Sequence, residues 1–476
     1  MSTLPTLPNP PAGVVLAVKV PSSVLYRDLS FRGNLSSTFR RVYGIDYAPT
    51  YVAYNAVQMW WDISGDSPFN RHLSPELKPD VVAQKFITIT ARNARQLVRT
   101  AQIVSSPSRW RHSHLHQDLL EDLNIYWDAY EDHMTCLYAF WNVENLITDK
   151  LIDELKNAGF QDEVDAGLPN FAVPSESNWF TMENEHLSIL KSRFADSSLD
   201  KIALGAASYH ANTFGFMSTL FNQGIVPSSH DVIEKMKQVV ASERSELKNL
   251  DDLPENIALL GRLMRELAFW KHERQDAFAL ADQIIIPLYK TVSDLLEIPF
   301  ELIYSMTRDE ITRSIAHAED IDIETIKQRT TKYCRALING SIDFYQPAEI
   351  DADAKKEFDI AKNGDVFRGM PTSPGVVRGR VRILTLGSEN PTMSSDEIIV
   401  ASMTRPELGT ALDAAIAYAT DEGGRLCHAA IVSREKKKPC VVGLGNITKV
   451  LRTGMMIEVD GAAGTVTVVD DHYDTV

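Results

Sequence analysis

The chain has 476 residues, of which 44% are apolar, an ordinary share for a protein that buries large cores. Its 48 lysines and arginines stand against 64 aspartates and glutamates, a net charge of −16, which argues against nucleic-acid binding and against attraction to anionic membranes. The four cysteines form no CxxC pair, so we expect neither a zinc knuckle nor a disulfide framework. The sequence shows no signal peptide and no apolar run of about 20 residues, which predicts a soluble cytoplasmic protein without a membrane span.

Residues 1–12 are rich in proline and predict a disordered N-terminus. Residues 13–345 predict a mainly α-helical domain, because apolar residues recur there at spacings of three and four. The clearest helical patterns are DLLEDLNIYWDAYEDHMTCLYAFWNVENLITDKLIDELKNAG, EKMKQVVASERSELKNL, NIALLGRLMRELAFWKHERQDAFALADQII and ITRSIAHAEDIDIETIKQRTTKYCRALI. Aromatic residues cluster in this half, and our candidates for lining an aromatic substrate pocket are Trp60, Trp61, Trp127 and Trp141. Helix packing is the alternative explanation for each of them.

The pattern changes near residue 346. Residues 346–366 are polar and charged and predict a mobile linker between two domains. Residues 367–476 then alternate short β-rich runs with glycine and proline, which predicts a small mixed α/β domain. The β-rich runs are VVRGRVRIL, DEIIVASM, AIAYATD, PCVVGL, MMIEVDG and GTVTVVD, and the helical runs are PELGTALDAA and HAAIVSREKKK. The predicted fold class is therefore multidomain, with a large mainly helical domain followed by a small α/β domain.

The stretch GGRLCHAAIVSRE places His428 in the first turn of a predicted helix, behind Gly423 and Gly424. The glycines permit positive φ and close backbone approach, while the helix start offers unpaired N–H groups and a positive dipole end, so the loop is suited to bind phosphate. The same dipole disfavours a protonated imidazole, which would keep His428 nucleophilic near neutral pH, with the Thr404 hydroxyl and the Cys427 thiol able to assist. These residues favour a phosphohistidine, although a lone histidine at a helix start is more often structural.

The segments GMPTSPG, TRP, GGRLCHAAIVSRE, PCVVG and VDG follow one another over roughly residues 367–470. This series resembles the mobile domain of the PEP-utilising enzymes, which include phosphoenolpyruvate synthase, pyruvate phosphate dikinase and rifampin phosphotransferase. The resemblance implies a swivelling β/β/α fold in which His428 is phosphorylated. Upstream, PFELIYSMTRDEI resembles, more weakly, the acceptor half of rifampin phosphotransferase.

The segment that begins at Arg265 resembles an Arg-Glu-x-x-Lys segment of that acceptor half, but Phe269 stands where the lysine would fall. The resemblance implies that Arg265 holds phosphoryl oxygens, and Lys271 and His272, just beyond, are our candidates for the catalytic base. Each has a plain alternative as a solvated charge or an ordinary core or surface histidine. The sequence predicts no metal site, because a charged loop explains the histidines of residues 112–116 better than metal ligation does.

The chain shows no Gly-rich phosphate loop, and too few residues follow His428 for a barrel of about 250 residues. This organisation resembles the histidine-bearing subunit of the two-component synthases that phosphorylate phenol and p-cresol. The resemblance implies a separate ATP-grasp subunit that binds ATP and Mg²⁺ and charges His428 with release of AMP and phosphate. The acceptor would be a small aromatic alcohol, as in aromatic degradation. Two alternatives stay open, transfer to an antibiotic or other natural-product hydroxyl and a non-catalytic phosphocarrier.

Overall fold

The structure is a computed structural model of the chain. It describes residues 4–8, 14–19, 23–45, 51–55, 58–62, 78–110, 115–165, 168, 170–171, 173–174, 176–194, 201–218, 227–238, 249–318, 320–330, 332–346, 361–384, 393–404, 409–423 and 427–469.

The chain divides into two compact units. Unit 1 comprises Met1–Thr148, Pro174–Ile233 and Glu266–Lys355, and unit 2 comprises Asp149–Val173, Glu234–Arg265 and Lys356–Val476. The predicted boundaries at residues 12, 345 and 366 stay predictions. Residues 1–3 and 9–12 of the predicted disordered terminus, and 347–360 of the predicted linker, lie outside the described residues.

Helices dominate the chain before residue 330. They are α1 (Val24–Gly33), α2 (Ser36–Tyr43), α3 (Pro79–Val104), α4 (Leu115–Asn157), α5 (Gln161–Asp165), α6 (Trp179–Phe194), α7 (Lys201–Phe214), α8 (Ser229–Gln238), α9 (Glu255–Ile284), α10 (Ile286–Leu295), α11 (Phe300–Ile303), α12 (Arg308–His317) and α13 (Ile323–Arg329). The prediction of a helical N-terminal part is confirmed. Among the described residues, no helix combines the length and apolarity that crossing a bilayer requires.

The core of unit 1 is built on the long helix α4. It buries Leu123, Trp127 and Tyr130 against Phe278 of α9 and Tyr289 of α10. The helix ends as the sequence predicts, because Gly159 just beyond it adopts a φ of +81°, the left-handed conformation that closes many helices. Pro287 stands in the first turn of α10, where a missing N–H costs nothing.

Unit 1 also contains a five-stranded antiparallel sheet that the helical patterns did not predict. Its strands are β1 (Val14–Lys19), β2 (Tyr51–Asn55), β3 (Gln58–Asp62), β4 (Cys334–Ile338) and β5 (Ser341–Tyr345), in the order β1-β3-β2-β4-β5. The prediction that ITRSIAHAEDIDIETIKQRTTKYCRALI forms one helix was therefore wrong. The segment breaks at Ala318, whose φ is +47°, restarts behind the capping side chain of Asp322, and ends in β4, whose buried residues pair with β2.

An eight-stranded sheet forms the C-terminal part of unit 2, and the prediction of a C-terminal sheet domain is confirmed. Its strands are β6 (Val366–Arg368), β7 (Met370–Ser373), β8 (Val376–Leu384), β9 (Glu397–Ala401), β10 (Ala417–Thr420), β11 (Cys440–Val442), β12 (Met456–Asp460) and β13 (Thr465–Val468). The order is β6-β13-β12-β8-β9-β10-β11-β7, with β8 to β11 parallel. Three short helices accompany it, α14 (Gly409–Ala414), α15 (His428–Glu435) and α16 (Ile447–Val450).

The six predicted β-rich runs each contain one of these strands. Every residue of β9 and β10 is buried, as expected for parallel strands covered on both faces, which explains their continuous apolar sequences. The swivelling motion and the β/β/α arrangement implied by the resemblance stay predictions.

Candidate functional site

The candidate site lies where two parallel strands end. β9 and β10 pair in register, with Ala401 opposite Thr420, so the loops that follow them leave the same edge of the sheet. The carboxyl edge of parallel strands is the usual place for ligands in α/β sheets. Backbone hydrogen bonds join the loops, since the Asp421 N–H donates to the Ala401 carbonyl at 3.0 Å and the Glu422 N–H donates to the Ser402 carbonyl at 2.9 Å.

This arrangement brings Thr404 and His428 together. The Thr404 hydroxyl oxygen lies 2.9 Å from Nδ1 of His428, the first residue of α15. Thr404 is buried and His428 is half-buried. Burial lowers the pKa of the His428 imidazole to about 4, so the ring is neutral at pH 7. If Nδ1 carries the hydrogen and donates it to Thr404, Nε2 keeps its lone pair and can act as a nucleophile.

Cys427 caps α15 with its backbone, and its side chain makes no capping hydrogen bond. Gly423 adopts a φ of +127°, and a Cβ placed there would lie 2.8 Å from the Cys427 sulfur. The position therefore requires glycine for both conformation and space. Gly424, the other predicted phosphate-binding glycine, lies outside the described residues.

Asp421 anchors the loop, a role that the sequence analysis missed. Its carboxylate accepts hydrogen bonds from the Thr448 N–H at 2.9 Å and from the Thr448 hydroxyl, at the start of α16. The Gly445 N–H donates to the Asp421 carbonyl at 2.9 Å. In the sequence, Asp421 is marked only by its place at the start of an Asp-Glu-Gly-Gly loop. Its hydrogen-bond partners lie more than 20 residues further along the chain.

The predicted acceptor-side residues lie in other surroundings. Two guanidinium nitrogens of Arg265 donate to the Asn170 carbonyl, at 3.1 and 2.9 Å, within unit 2. In unit 1, the Lys271 ammonium lies 3.4 Å from a carboxylate oxygen of the buried Glu144. Burial, and then the charges of neighbouring cations, lowers the pKa of His272 to about 4. The phosphate-binding and basic roles of these three residues stay predictions.

Of the predicted pocket tryptophans, the structure describes the side chain of Trp127 alone. It is fully buried, and its indole N–H donates to the Tyr289 hydroxyl at 3.0 Å, so it packs in the core of unit 1. The backbones of Trp60 and Trp61 lie in β3 and that of Trp141 in α4, while their side chains lie outside the described residues. Among the described residues, no group of three or more His, Cys, Asp or Glu side chains is arranged to hold a metal ion.

Comparison with known proteins finds a family match over the segment that contains Thr404 and His428. Residues 393–464 match the family of the PEP-utilising enzyme, mobile domain. These residues are similar to the mobile domain of the PEP-utilising enzymes. The predicted recognition of that family is confirmed, while the narrower resemblances to rifampin phosphotransferase and to the two-component phenol synthases stay predictions.

Phosphoenolpyruvate synthases are among the relatives of this mobile domain. The Pyrococcus furiosus enzyme is 42% identical over 116 residues, which are 24% of this chain and 14% of that protein. A probable phosphoenolpyruvate synthase of Archaeoglobus fulgidus is 41% identical over 168 residues, 34% of this chain and 22% of that protein. This chain thus spans less than a quarter of the length of either relative. The NMR solution structure of Enzyme I (nEIt) is 18% identical in sequence to this chain. The comparison covers 40% of this chain and 54% of that chain, with a TM-score of 0.16.

The matched segment divides the predicted site residues into two sets. The matched segment, residues 393–464, contains Thr404, Gly423, Gly424, Cys427 and His428. The acceptor-side candidates and the four tryptophans fall outside the matched segment, so the family match gives them no support.

Proposed function

We propose that this chain is the histidine-bearing component of an ATP-dependent phosphotransferase, in which His428 carries a phosphoryl group to the hydroxyl of a phenolic acceptor. The observation that supports it most is the 2.9 Å contact between Thr404 and His428 inside a PEP-utilising mobile domain. A neutral imidazole, held at one nitrogen and placed at the start of a helix, is the expected form of a histidine that accepts phosphorus.

In the charging step, Nε2 of His428 attacks a phosphorus atom of the donor. The new N–P bond forms as the bond from phosphorus to its leaving oxygen breaks. The ring gains positive charge during this step, and the Nδ1–H bond to the Thr404 hydroxyl stabilises that charge. The first-turn N–H groups of α15 lie at the positive end of the helix dipole, which favours the phosphoryl oxygens.

In the discharging step, the acceptor oxygen attacks the phosphorus and the N–P bond breaks. Nε2 recovers its lone pair, the acceptor proton passes to a base, and an aryl phosphate leaves. A phenol has a pKa near that of tyrosine, about 10, so a base assists the reaction by ~10²–10⁴-fold. His272, at a pKa of about 4, is a weak base for this purpose, and Lys271 is engaged with Glu144.

We assign ATP and Mg²⁺ to a separate ATP-grasp subunit, which releases AMP and phosphate as it charges His428. The resemblance to the histidine-bearing subunit of the two-component synthases supports this assignment. Magnesium on the donor subunit would neutralise the phosphate charge of ATP.

The test is to incubate the chain with a candidate ATP-grasp subunit and ATP labelled at the β- or the γ-phosphate. We expect one of the two labels to reach the chain in an acid-labile, alkali-stable bond, and His428→Ala to abolish it. His230→Ala, at an exposed histidine of α8, is the matched control and should label normally. Full labelling of His428→Ala would contradict the proposal.

Acceptors then separate the alternatives. Loss of label on addition of phenol or p-cresol, with formation of the aryl phosphate, supports the phenolic acceptor. Release only to an antibiotic or other natural-product alcohol indicates the second acceptor class. Label that passes only to another protein indicates a phosphocarrier.

A further inference from the structure

Three carboxyl groups of unit 1 come together where α6 meets α9. Glu273 and Asp276 stand three residues apart on α9, hence on one face of that helix, and Glu183 of α6 lies near Asp276. Asp276 is 8% exposed and Glu183 is 5% exposed, while Glu273 is half-buried. The Glu273 carboxyl accepts a hydrogen bond from the Trp179 N–H at the start of α6, at 3.0 Å. The group is therefore largely shielded from water and reaches solvent on the Glu273 side.

Of the three carboxyls, Glu183 has a basic partner. Its Oε1 lies 3.5 Å from Nε2 of His210 on α7, and Nδ1 of His210 lies 2.8 Å from Nδ1 of His186. Among the described residues, neither Glu273 nor Asp276 forms an ion pair. Two adjacent carboxyls removed from water and without a cation are unfavourable as anions, because a carboxylate in such a place needs a countercharge.

Asp276 lacks a hydrogen-bond partner as well. Its Oδ2 is shielded from solvent and has no partner in the part of the chain that the structure describes. Burial, and then the charges of Glu273 and Glu183, raise the pKa of Asp276 to about 8, so this carboxyl is mainly protonated at pH 7. Burial raises the pKa of Glu273 too. A buried polar atom without a partner is unfavourable unless a bound molecule supplies the missing hydrogen bond.

Aromatic rings stand beside these carboxyls. The ring of Trp179, the residue whose N–H binds Glu273, lies edge-to-face with Phe214 and Phe216, at centroid distances of 6.1 and 5.2 Å. The Phe214 ring lies 4.9 Å from that of His210 on the same measure. Trp179 is half-buried, whereas the two phenylalanines are buried. Aromatic rings attract organic cations, and carboxyls beside them favour an ammonium group over a neutral one.

A metal ion fits these groups less well than an ammonium group does. Among the residues that the structure describes, no three His, Cys, Asp or Glu side chains are arranged to hold a metal ion. An ammonium group needs no fixed coordination shell, since its N–H groups donate to whichever oxygens are near. One carboxylate oxygen and one aromatic ring are sufficient to bind it.

We propose that Glu273 and Asp276 of α9, beside Trp179 of α6, bind the ammonium group of an amine that carries an aryl ring on a short alkyl chain. Binding breaks the O–H bond of the Asp276 carboxyl, the proton passes to the buffer, and the resulting carboxylate pairs with the ammonium. An ammonium N–H donates to Oδ2 of Asp276, Glu273 offers a second acceptor oxygen, and the aryl ring packs on Trp179. All three residues belong to unit 1, so this inference does not depend on His428 or on the proposed function.

The alternative is that these carboxyls only join α9 to α6. Asp276→Asn separates the two roles, because asparagine keeps the shape and the neutrality that the acid has at pH 7 but cannot become an anion. Glu273→Gln keeps an oxygen that can accept the Trp179 N–H and removes only the ionisable group. Asp294→Asn, at an exposed aspartate of α10, is the matched control.

The experiment is isothermal titration calorimetry of the full chain with phenethylamine, a primary amine that is protonated at pH 7 as lysine is. The neutral comparison is 2-phenylethanol, in which a hydroxyl replaces the ammonium group. We expect phenethylamine to bind with a Kd below about 1 mM and 2-phenylethanol to bind roughly 10-fold more weakly or less. Asp276→Asn should weaken phenethylamine binding roughly 10-fold or more. Glu273→Gln should weaken it about 3-fold, and Asp294→Asn should leave it unchanged.

Proton release gives a readout that a structural role would not move. Because Asp276 is mainly protonated at pH 7 and ionised in the complex, each bound amine should release about one proton. Titrations in phosphate and in HEPES, whose ionisation enthalpies differ, measure that number. Affinity should rise by up to about 10-fold per pH unit from pH 6 toward pH 8 and level off above it. The titratable groups facing Asp276 are Glu273 on α9 and Glu183 on α6, with His210 of α7 beyond Glu183.

The outcomes that overturn the inference are distinct. Wild-type affinity and proton release in Asp276→Asn would leave the carboxyls as helix packing. Equal binding of phenethylamine and 2-phenylethanol would show that no charge is recognised, and binding of neither would show that there is no site. Competitive displacement of phenethylamine by Mg²⁺ would indicate a metal site instead. Each of these results leaves phosphorylation of His428 untouched.

Thermal unfolding midpoints check that each variant is folded. If Asp276→Asn does not fold, proton release and the pH dependence of the wild type still decide the inference. A wild type that binds phenethylamine without releasing a proton, and with the same Kd at pH 6 and pH 8, would overturn the role of Asp276.

Discussion

The Thr404 hydroxyl oxygen lies 2.9 Å from Nδ1 of His428, although 24 positions separate the two residues in the chain. The sheet produces this contact, because β9 and β10 are parallel neighbours and their following loops leave one edge together. Thr404 comes three residues after β9, and His428 begins the helix that follows β10. The contact engages Nδ1 of His428 and leaves Nε2 as the nitrogen that can act as a nucleophile.

Thr404→Val tests this relationship, because valine keeps the shape of threonine but has no hydroxyl. A net hydrogen bond is worth about 0.5–1.5 kcal/mol, so we expect charging of His428 to slow by roughly 2- to 10-fold. The measurement is the initial rate of acid-labile label incorporation at saturating donor. Thr404→Ser retains the hydroxyl and should charge close to the wild-type rate. Equal rates for the Val and Ser variants would show that the contact contributes nothing to charging.

Titration of His428 should begin far below that of an ordinary histidine. Burial lowers the pKa of the folded-state imidazole to about 4, against about 6.5 in an unfolded chain. The ring should therefore stay neutral and nucleophilic from pH 8 down to about pH 5. NMR of ¹⁵N-labelled histidine side chains, with His428→Gln to assign the signal, measures this directly. A midpoint near 6.5 would mean that the imidazole is as well solvated as a surface histidine.

The same pKa shift has a consequence for stability. Between about pH 6.5 and pH 4 the unfolded chain binds a proton at His428 that the folded chain does not. The stability contributed by the neutral ring is therefore complete above pH 6.5 and is lost as the pH falls toward 4. We expect His428→Gln to reduce the dependence of the unfolding free energy of unit 2 on pH in that interval, measured by urea titration at pH 7 and pH 5. An identical pH dependence in both proteins would contradict the assignment.

Gly423→Ala should damage the loop that carries His428. The substitution places a methyl group 2.8 Å from the Cys427 sulfur and forces a side chain into a φ of +127°. Backbone strain of this kind costs about 1–3 kcal/mol, and displacement of the loop should slow charging at least 10-fold. The double variant with Cys427→Ala removes the steric contact and keeps the strained φ. Recovery of charging in the double variant would assign the defect to the contact, and no recovery would assign it to the backbone. Normal charging by Gly423→Ala alone contradicts the prediction.

The sequence predicted six of the eight strands of the C-terminal sheet, because these six are short apolar runs separated by glycine and proline, and each run forms its own strand. It also predicted that a helix begins near His428, since glycines and a helix start are local signals. The strand β4 was missed because CRALI, following a helical pattern, reads equally well as the end of a helix or as a short strand. CRALI forms a strand because it pairs with β2, some 280 residues earlier in the chain. No local sequence pattern can show that pairing.

The contact between His186 and His210 could not be predicted for the same reason. His186 and His210 lie on two helices, and their contact depends on how those helices pack. The sequence shows only two isolated histidines, each of which is more often structural. Trp127 is a different case. It was a candidate for lining a substrate pocket, and the structure places it in the core.

Lys271 provides a prediction that separates a structural role from a catalytic one. Its ammonium lies 3.4 Å from Glu144, whose carboxylate is buried. Lys271→Met leaves that carboxylate without its nearest cation, and breaking a buried pair commonly costs about 3–5 kcal/mol. Arg274 also lies near Glu144, and Lys271 is only partly buried, so we expect a smaller loss of about 1–2 kcal/mol in unfolding free energy, measured by urea titration.

The double variant Lys271→Met with Glu144→Gln decides between the roles. It removes both charges of the pair but also takes the Glu144 charge away from the buried Arg274, so stability should recover only in part. If Lys271 serves only this pair, phosphoryl transfer from charged His428 to p-cresol returns with stability. If Lys271 is instead the catalytic base, the double variant is stable but discharges about 10²-fold more slowly or worse. The two outcomes together separate a structural role of Lys271 from a catalytic one.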